Sequence, residues 1–303
     1  MSLDAQKLSR MQVLMGTFIS ITLEEKDKEH FQPSFQILKN VENKLSSYKE
    51  DSDISLLNKH KFARLHPLTY EALALSEKYY KETDGYFAIS IGSITKDLYA
   101  FGGNEKIPQL QELQDSVVVM NGLRLTRSEA SILPAMKLDL GGMGKGFGVD
   151  KVSTFLKTND IKKFIIAASG DIRCRGLCSI NVKHPFSDGI LLSFSTSLQE
   201  TGISTSGNYN RYVESLAHNH LINPKQKKSQ DSFASITLVS KLPSSDLDAY
   251  ATAASVMPLD EAYEFLDSLP LAYIVMQTNY KLVFSENISK FTKRLFIRYT
   301  EKK

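Results

Sequence analysis

Asp139-Leu-Gly-Gly-Met-Gly-Lys-Gly-Phe-Gly-Val-Asp150 holds five of the chain's sixteen glycines and runs straight into a helical pattern over 145–157. Glycines at such a junction let backbone N–H groups approach an anion, and a helix N-terminus favours negative charge. The two common phosphate patterns do not fit. No start in the window places glycines at positions one, three and six. The position five residues before Gly144, where a P-loop needs glycine, is Asp139. A tight turn with close helix–sheet packing is the alternative reading of the same glycines. The window thus matches neither common phosphate motif and leaves a ligand role open.

Outward from the window, strands and helices do not alternate. Strand patterns fall at 164–168, 179–182, 190–195 and 235–239, with helices over 246–257 and 259–269. A hairpin is expected from 272–276 and 281–284. Toward the N-terminus, 11–23 reads as a strand bent at Gly16, 31–46 and 66–83 as helices, and 117–126 as a hairpin turning at Asn121-Gly122. The stretch 223–232 reads as a loop, with Lys225, Lys227 and Lys228 on a solvated face. The residues from 288 onward read as a packed terminal element. Such a mixture predicts an α+β fold with mixed or antiparallel sheets and packed helices. Residues 1–10 read as an N-terminal extension and 11–303 as a single domain.

Composition excludes several classes. Hydrophobic residues make up 42% and charged residues 23% of 303 positions, so the chain buries a core. A net charge of +3 is too small a footprint for nucleic-acid binding. No run is long and apolar enough for a transmembrane helix, and no leader is read at the N-terminus. The spacing of Cys174 and Cys178 matches no CxxC motif, so both read as structural thiols. Neither a GxSxG elbow nor an HExxH pair is present.

Two further patterns carry chemistry. In Asp248-Ala-Tyr-Ala-Thr252 a carboxylate and a hydroxyl four residues apart share one helix face. Two hard oxygens, with backbone carbonyls and water, suit Mg²⁺, while helix capping and back-bonding to the preceding turn explain the same residues without a metal. Ser204-Thr-Ser-Gly-Asn-Tyr209 offers donors for a phosphate or flavin ring, and His220 suits proton transfer near neutral pH.

In their order along the chain, these segments resemble the ApbE family of FAD:protein FMN transferases. Met15-Gly16-Thr17, Leu45-Ser-Ser-Tyr48, Ile54-Ser-Leu-Leu-Asn58 and Thr83-Asp-Gly-Tyr-Phe87 match first. The glycine window is the strongest match. Ser169-Gly-Asp171, Ser204-Thr-Ser-Gly207, His220-Leu-Ile-Asn-Pro224 and the Asp248 to Thr252 motif follow. The resemblance implies a two-lobed single chain that uses FAD as substrate with Mg²⁺. It would transfer FMN to a threonine of an acceptor flavoprotein and release AMP. It also implies Asp248, Thr252 and the Gly144 backbone as metal ligands. Met15, Tyr48, Asn58, Lys145, Ser169, Gly170, Asp171 and Thr205 would face the flavin nucleotide. His220 would activate the acceptor, with Asp248 the other catalytic residue. The setting implied is periplasmic or membrane-associated. The chain departs from the family pattern at Asn223, where aspartate is usual, and at Gln226-Lys227, where Thr-Gly is usual. Hydrolysis of FAD to FMN and AMP, or flavin binding without catalysis, are the alternatives this leaves.

Overall fold

A computed structural model describes residues 6–298. Its centre is an eight-stranded sheet whose spatial order is the chain order. The strands are β1 (Lys7–Leu14), β2 (Thr17–Glu24), β3 (Phe164–Ala168), β4 (Asp171–Arg175), β5 (Glu200–Gly207), β6 (Phe233–Ser240), β7 (Leu271–Gln277) and β8 (Leu282–Phe284). Every neighbouring pair is antiparallel. Six helices are named here: α1 (Phe31–Leu45), α2 (Asp53–His60), α3 (Pro67–Glu82), α4 (Gly144–Thr158), α5 (Ser244–Val256) and α6 (Leu259–Asp267). The architecture is α+β, with antiparallel sheets and packed helices.

Burial explains the pattern. All residues of β6 and β7 are buried, because both faces of these strands are covered. On one face, α4 and α5 pack against β4, β5 and β6. On the other, a three-stranded sheet of Ser179–Lys183, Ile190–Thr196 and Thr292–Ile297 joins Ile203, Val239 and Ile274 in a second apolar cluster. A third cluster packs α1 and α4 on β2 and β3.

Several expectations change. The bend expected at Gly16 is a two-residue hairpin turn, with Leu14 opposite Thr17 and positive φ at both Met15 and Gly16. The first strand opens at Lys7, inside the stretch set aside as an extension. No hairpin turns at Asn121-Gly122. Met120–Gly122 is a 3-10 turn with Met120 and Gly122 buried, wedged where a Cβ on Gly122 would lie 2.8 Å from Leu133, and Arg124–Leu125 pairs with Glu129–Ser131 instead. Cys174 and Cys178 form a disulfide rather than two thiols. Gly176, at φ +101°, makes the reversal that brings their Cα atoms to 6.4 Å. The loop lysines do lie on a largely solvated face, with Lys225 and Lys228 exposed and Lys227 half-buried, and two of them are anchored there. Lys225 pairs with Asp84 at 2.8 Å and lies over the Tyr86 ring, and Lys227 donates to the Gln114 and Ser116 carbonyls.

Candidate active site

A cavity of about 880 Å³ opens on the helix-bearing face, large enough for a dinucleotide. Its walls are turns and helix ends: Met15-Gly16, the loop at Ser46 to Lys49, Asp139 to Lys145, the Ser169-Gly170 turn, Thr205 to Gly207, and His220 to Ile222. The β1–β2 turn is fixed by the Met15 amide, which donates to Glu42 Oε1 at 2.7 Å. Gly170 is required by proximity, because a Cβ there would sit 2.6 Å from the Thr205 carbonyl oxygen. The same argument fixes Gly146, whose Cβ would lie 2.3 Å from the Ser244 carbonyl oxygen. Gly146, within the opening window, therefore lets α4 cross α5 closely.

Asp150, the last residue of that window, caps α5. Its carboxylate accepts from the Ser244 and Ser245 amides and the Ser245 hydroxyl, each at 2.8 Å. Thr252 is the one α5 residue that is not buried, and it lines the cavity together with Asp248. The shared helix face is thus confirmed as geometry. The Thr252 hydroxyl donates to the Gly142 carbonyl at 3.3 Å. Gly144, whose backbone the resemblance implies as a ligand, opens α4 and lines the same wall.

Electrostatics concentrate at Lys145. Its ammonium lies 3.0 Å from Asp171 Oδ2 and 3.3 Å from Asp248 Oδ2. Asp248 also accepts from the Gly146 amide at 3.1 Å, and Asp171 from the Ser204 hydroxyl at 2.5 Å. Burial raises the Asp248 carboxyl above the usual range, and Asp171 raises it further, against the pull of Lys145 and the Gly146 amide. Burial alone would lower Lys145, but the two carboxylates outweigh it and hold the ammonium charged. Two buried carboxyl groups share one ammonium, so the second carries its anionic charge at a cost that another cation would relieve. That imbalance, with the Thr252 hydroxyl and Gly142 carbonyl beside it, fits a hard divalent cation completing its shell with substrate oxygens. No group of three or more His, Cys, Asp or Glu gathers among the described residues, so protein carboxylates alone would not cage an ion.

His220 also lines the cavity. Its Nδ1 is 3.0 Å from the Arg211 carbonyl, which can only accept. The proton therefore sits on Nδ1, and Nε2 is the basic nitrogen. Burial lowers its pKa to about 4, so the ring is neutral at physiological pH. Asn223 has a different task. It donates to the Val256 carbonyl at 2.7 Å and accepts from the Lys225 and Gln226 amides. An aspartate could accept those amides but not make the first bond, so asparagine here braces a buried turn.

Ten of the twelve residues named from the sequence line this one cavity: Met15, Tyr48, Gly144, Lys145, Ser169, Gly170, Thr205, His220, Asp248 and Thr252. Asn58 does not. It is buried and bridges the Leu138 backbone, accepting at 2.7 Å and donating at 2.9 Å, so it holds α2 to the segment leading into the glycine window. Asp171 is also behind the wall, reached through Lys145. Sequence reading missed Lys96 and Arg211, which line the cavity beside Tyr48. Neither belongs to a motif; only the fold brings them to that ring.

A deep cleft set on an antiparallel sheet, with a glycine-opened helix facing a buried carboxylate, marks an α+β ligand-binding protein. Comparison narrows this. The ApbE family model matches residues 15–275, and the chain belongs to that family. An FAD:protein FMN transferase of Haemophilus influenzae is 30% identical over 271 residues, covering 80% of this chain and 77% of the relative. One of Klebsiella pneumoniae is 27% identical over 267 residues, covering 82% of each chain. Among solved structures, the ApbE protein of Thermotoga maritima superposes with a TM-score of 0.87 at 20% identity, covering 95% of this chain and all of that one. The flavin transferase ApbE of Vibrio cholerae gives 0.83 at 21%, covering 95% and 99%. These two likenesses show a shared fold.

Proposed function

We propose that this protein is a flavin transferase that moves the FMN unit of FAD to a threonine hydroxyl on an acceptor flavoprotein, with Mg²⁺, and releases AMP. The observation that carries the reading is the convergence of Asp248, Thr252, the glycine window and His220 on one dinucleotide-sized cavity, in a chain whose relatives are named FAD:protein FMN transferases.

The reaction forms a bond from the threonine oxygen to the FMN phosphorus. It breaks the bond to the bridging oxygen, which leaves with AMP and the electron pair. Such a transfer depends on positioning and charge neutralisation. His220 Nε2 takes the threonine proton, and the Nδ1 bond to Arg211 fixes the ring's orientation for it. Asp248, Thr252 and the Gly142 carbonyl would hold Mg²⁺, with the backbone at Gly144 alongside. The ion would supply charge neutralisation at the pyrophosphate. Lys145 holds the Asp248 and Asp171 carboxyl groups in place. The hairpin turns at Met15-Gly16 and Ser169-Gly170, with Thr205, shape the walls and limit water around the reacting groups.

The test is incubation with FAD, Mg²⁺ and threonine-bearing acceptor domains, read by in-gel flavin fluorescence. Covalent FMN on the acceptor is expected with wild type, and its loss with Asp248→Ala. Tight FAD binding without label on any acceptor contradicts the reading. AMP released at the same rate with and without acceptor replaces it with FAD hydrolysis.

A further inference from the structure

Four cationic side chains line the cavity: Lys49, Lys96, Lys145 and Arg211. Three are matched by carboxylates. Lys49 pairs with Glu42 at 2.7 Å, Lys96 with Asp139 at 3.4 Å, and Lys145 with Asp171 and Asp248. Arg211 has no carboxylate partner among the described residues. Its guanidinium donates to the Tyr48 hydroxyl at 2.8 Å and lies over the Phe101 ring at 5.3 Å.

The same Tyr48 oxygen accepts from Lys96 Nζ at 2.6 Å and donates to the Phe101 carbonyl at 2.9 Å. The ammonium of Lys96 also sits 3.9 Å above the Tyr48 ring. Two positive groups thus meet on one neutral oxygen whose hydrogen-bonding capacity is fully used. Asp139 offsets only one of them. Asp139 itself is committed: burial would raise its carboxyl, but Lys96, the Thr95 hydroxyl and the Gly141 amide outweigh that and hold it ionised. Glu105, from the neighbouring loop, is turned to the Gly102 amide at 2.8 Å.

The arrangement is built rather than incidental. The Lys96 side chain is only 11% exposed, so its charge is held inside the wall. Gly102, at φ +80°, makes room for the cluster: a Cβ there would stand 2.8 Å from Arg211 Nη2 and 3.0 Å from the Tyr48 ring. Like charges held together this way are relieved by an anion. A guanidinium fork beside an ammonium suits the oxygens of a phosphate ester.

We propose that Arg211, with Lys96 set beside it by Tyr48, is the phosphate-binding residue of a second, cationic pole of the cavity. This pole is separate from the Asp248–Thr252 pole, and it takes a phosphate group of the nucleotide substrate. The identity of that nucleotide rests on the flavin-transfer reading. The two poles then divide the work: the carboxylate pole holds the metal, and the cationic pole sets the register of the nucleotide in the cleft.

The test compares wild type, Arg211→Gln and Arg211→Lys by calorimetric titration with FAD, AMP and FMN at low and high salt. Lys26→Gln, an exposed change outside the cavity lining, controls for loss of one positive charge. Arg211→Gln is expected to weaken FAD and one mononucleotide about tenfold or more, since a hydrogen bond to a charged group is lost. The mononucleotide affected identifies the half of FAD held there. Arg211→Lys should recover part of the loss, and Lys26→Gln should bind as wild type does. Binding of all three ligands by Arg211→Gln within twofold of wild type overturns the proposal. If the Gln variant does not fold, wild type carries the test: FAD affinity must fall as salt rises, and an affinity indifferent to salt overturns it. Binding of AMP but not FAD, with the same Arg211 dependence, removes the flavin reading and keeps the pole. Label transfer and FAD affinity indifferent to Arg211 do the reverse.

Discussion

His220 shows how a single half-buried ring carries both a catalytic and a stability consequence. Its neutral state persists down to about pH 4. The transfer rate should therefore show no His220 titration between pH 5 and 8, and His220→Gln should abolish transfer while FAD still binds. A pH–rate profile with paired binding titrations checks both. The stability sign follows from the same lowered pKa. An unfolded chain protonates this ring near pH 6.5, whereas the folded one resists until about pH 4. The His220 contribution to stability is therefore intact above pH 6.5 and lost as pH falls from there to about 4. His220→Gln should flatten that part of a denaturant-midpoint-against-pH curve. Thr252 carries the finer metal claim: Thr252→Val keeps the shape but removes an oxygen, so it should raise the Mg²⁺ concentration needed for half-maximal transfer several-fold. At this scale the sequence was legible where chemistry and spacing coincide, as at Asp248 and Thr252. It was silent on what Asn58 and Asn223 bind, because an amide bound to backbone and an amide bound to ligand look alike in a string of letters. Only burial and named partners separate them.

Among the elements, the crossing of α4 and α5 positions the carboxylate pole. Asp150 caps α5 from α4, and Gly146 lets the two backbones approach. Asp150→Ala removes three hydrogen bonds at that helix start. It should cost about 2 kcal/mol, at the upper end for a lost cap, read by urea unfolding. Because α5 also carries Asp248 and Thr252, the same variant should lose transfer more than FAD binding. Helices were legible from their apolar spacing, and β6 and β7 from near-continuous apolar runs. β5 was not read as a strand, although it stands in the middle of the sheet. Its sequence, Glu-Thr-Gly-Ile-Ser-Thr-Ser-Gly, is buried along most of its length while being largely polar. Ser204 and Thr205 satisfy their hydroxyls on Asp171 and Thr237, so polarity concealed a core strand. The hairpin expected at Asn121-Gly122 failed for the opposite reason. Its turn signal was real, but long-range packing by Leu133 and Met136 claimed the glycine.

Over the whole molecule, a sequential antiparallel sheet carries a cleft with two charged poles. The Cys174–Cys178 bridge lies on the face away from the helices, within the apolar cluster of the three-stranded sheet. It closes a short loop, so the stability it adds is small, about 2 kcal/mol on a chain-entropy estimate. Cys174→Ser with Cys178→Ser should lower the thermal midpoint by a few degrees and leave transfer unchanged, as measured by calorimetry and labelling. A loss of transfer would mean that the far face supports the cleft. The central claim concerns the cleft itself: its carboxylate pole and His220 move FMN from FAD to an acceptor threonine. Mass spectrometry of an acceptor domain, after incubation with enzyme, FAD and Mg²⁺, measures this most directly. The account requires an added FMN on one threonine, present with wild type and absent with Asp248→Ala. An unmodified acceptor beside an enzyme that binds FAD tightly, across several acceptors, would contradict it.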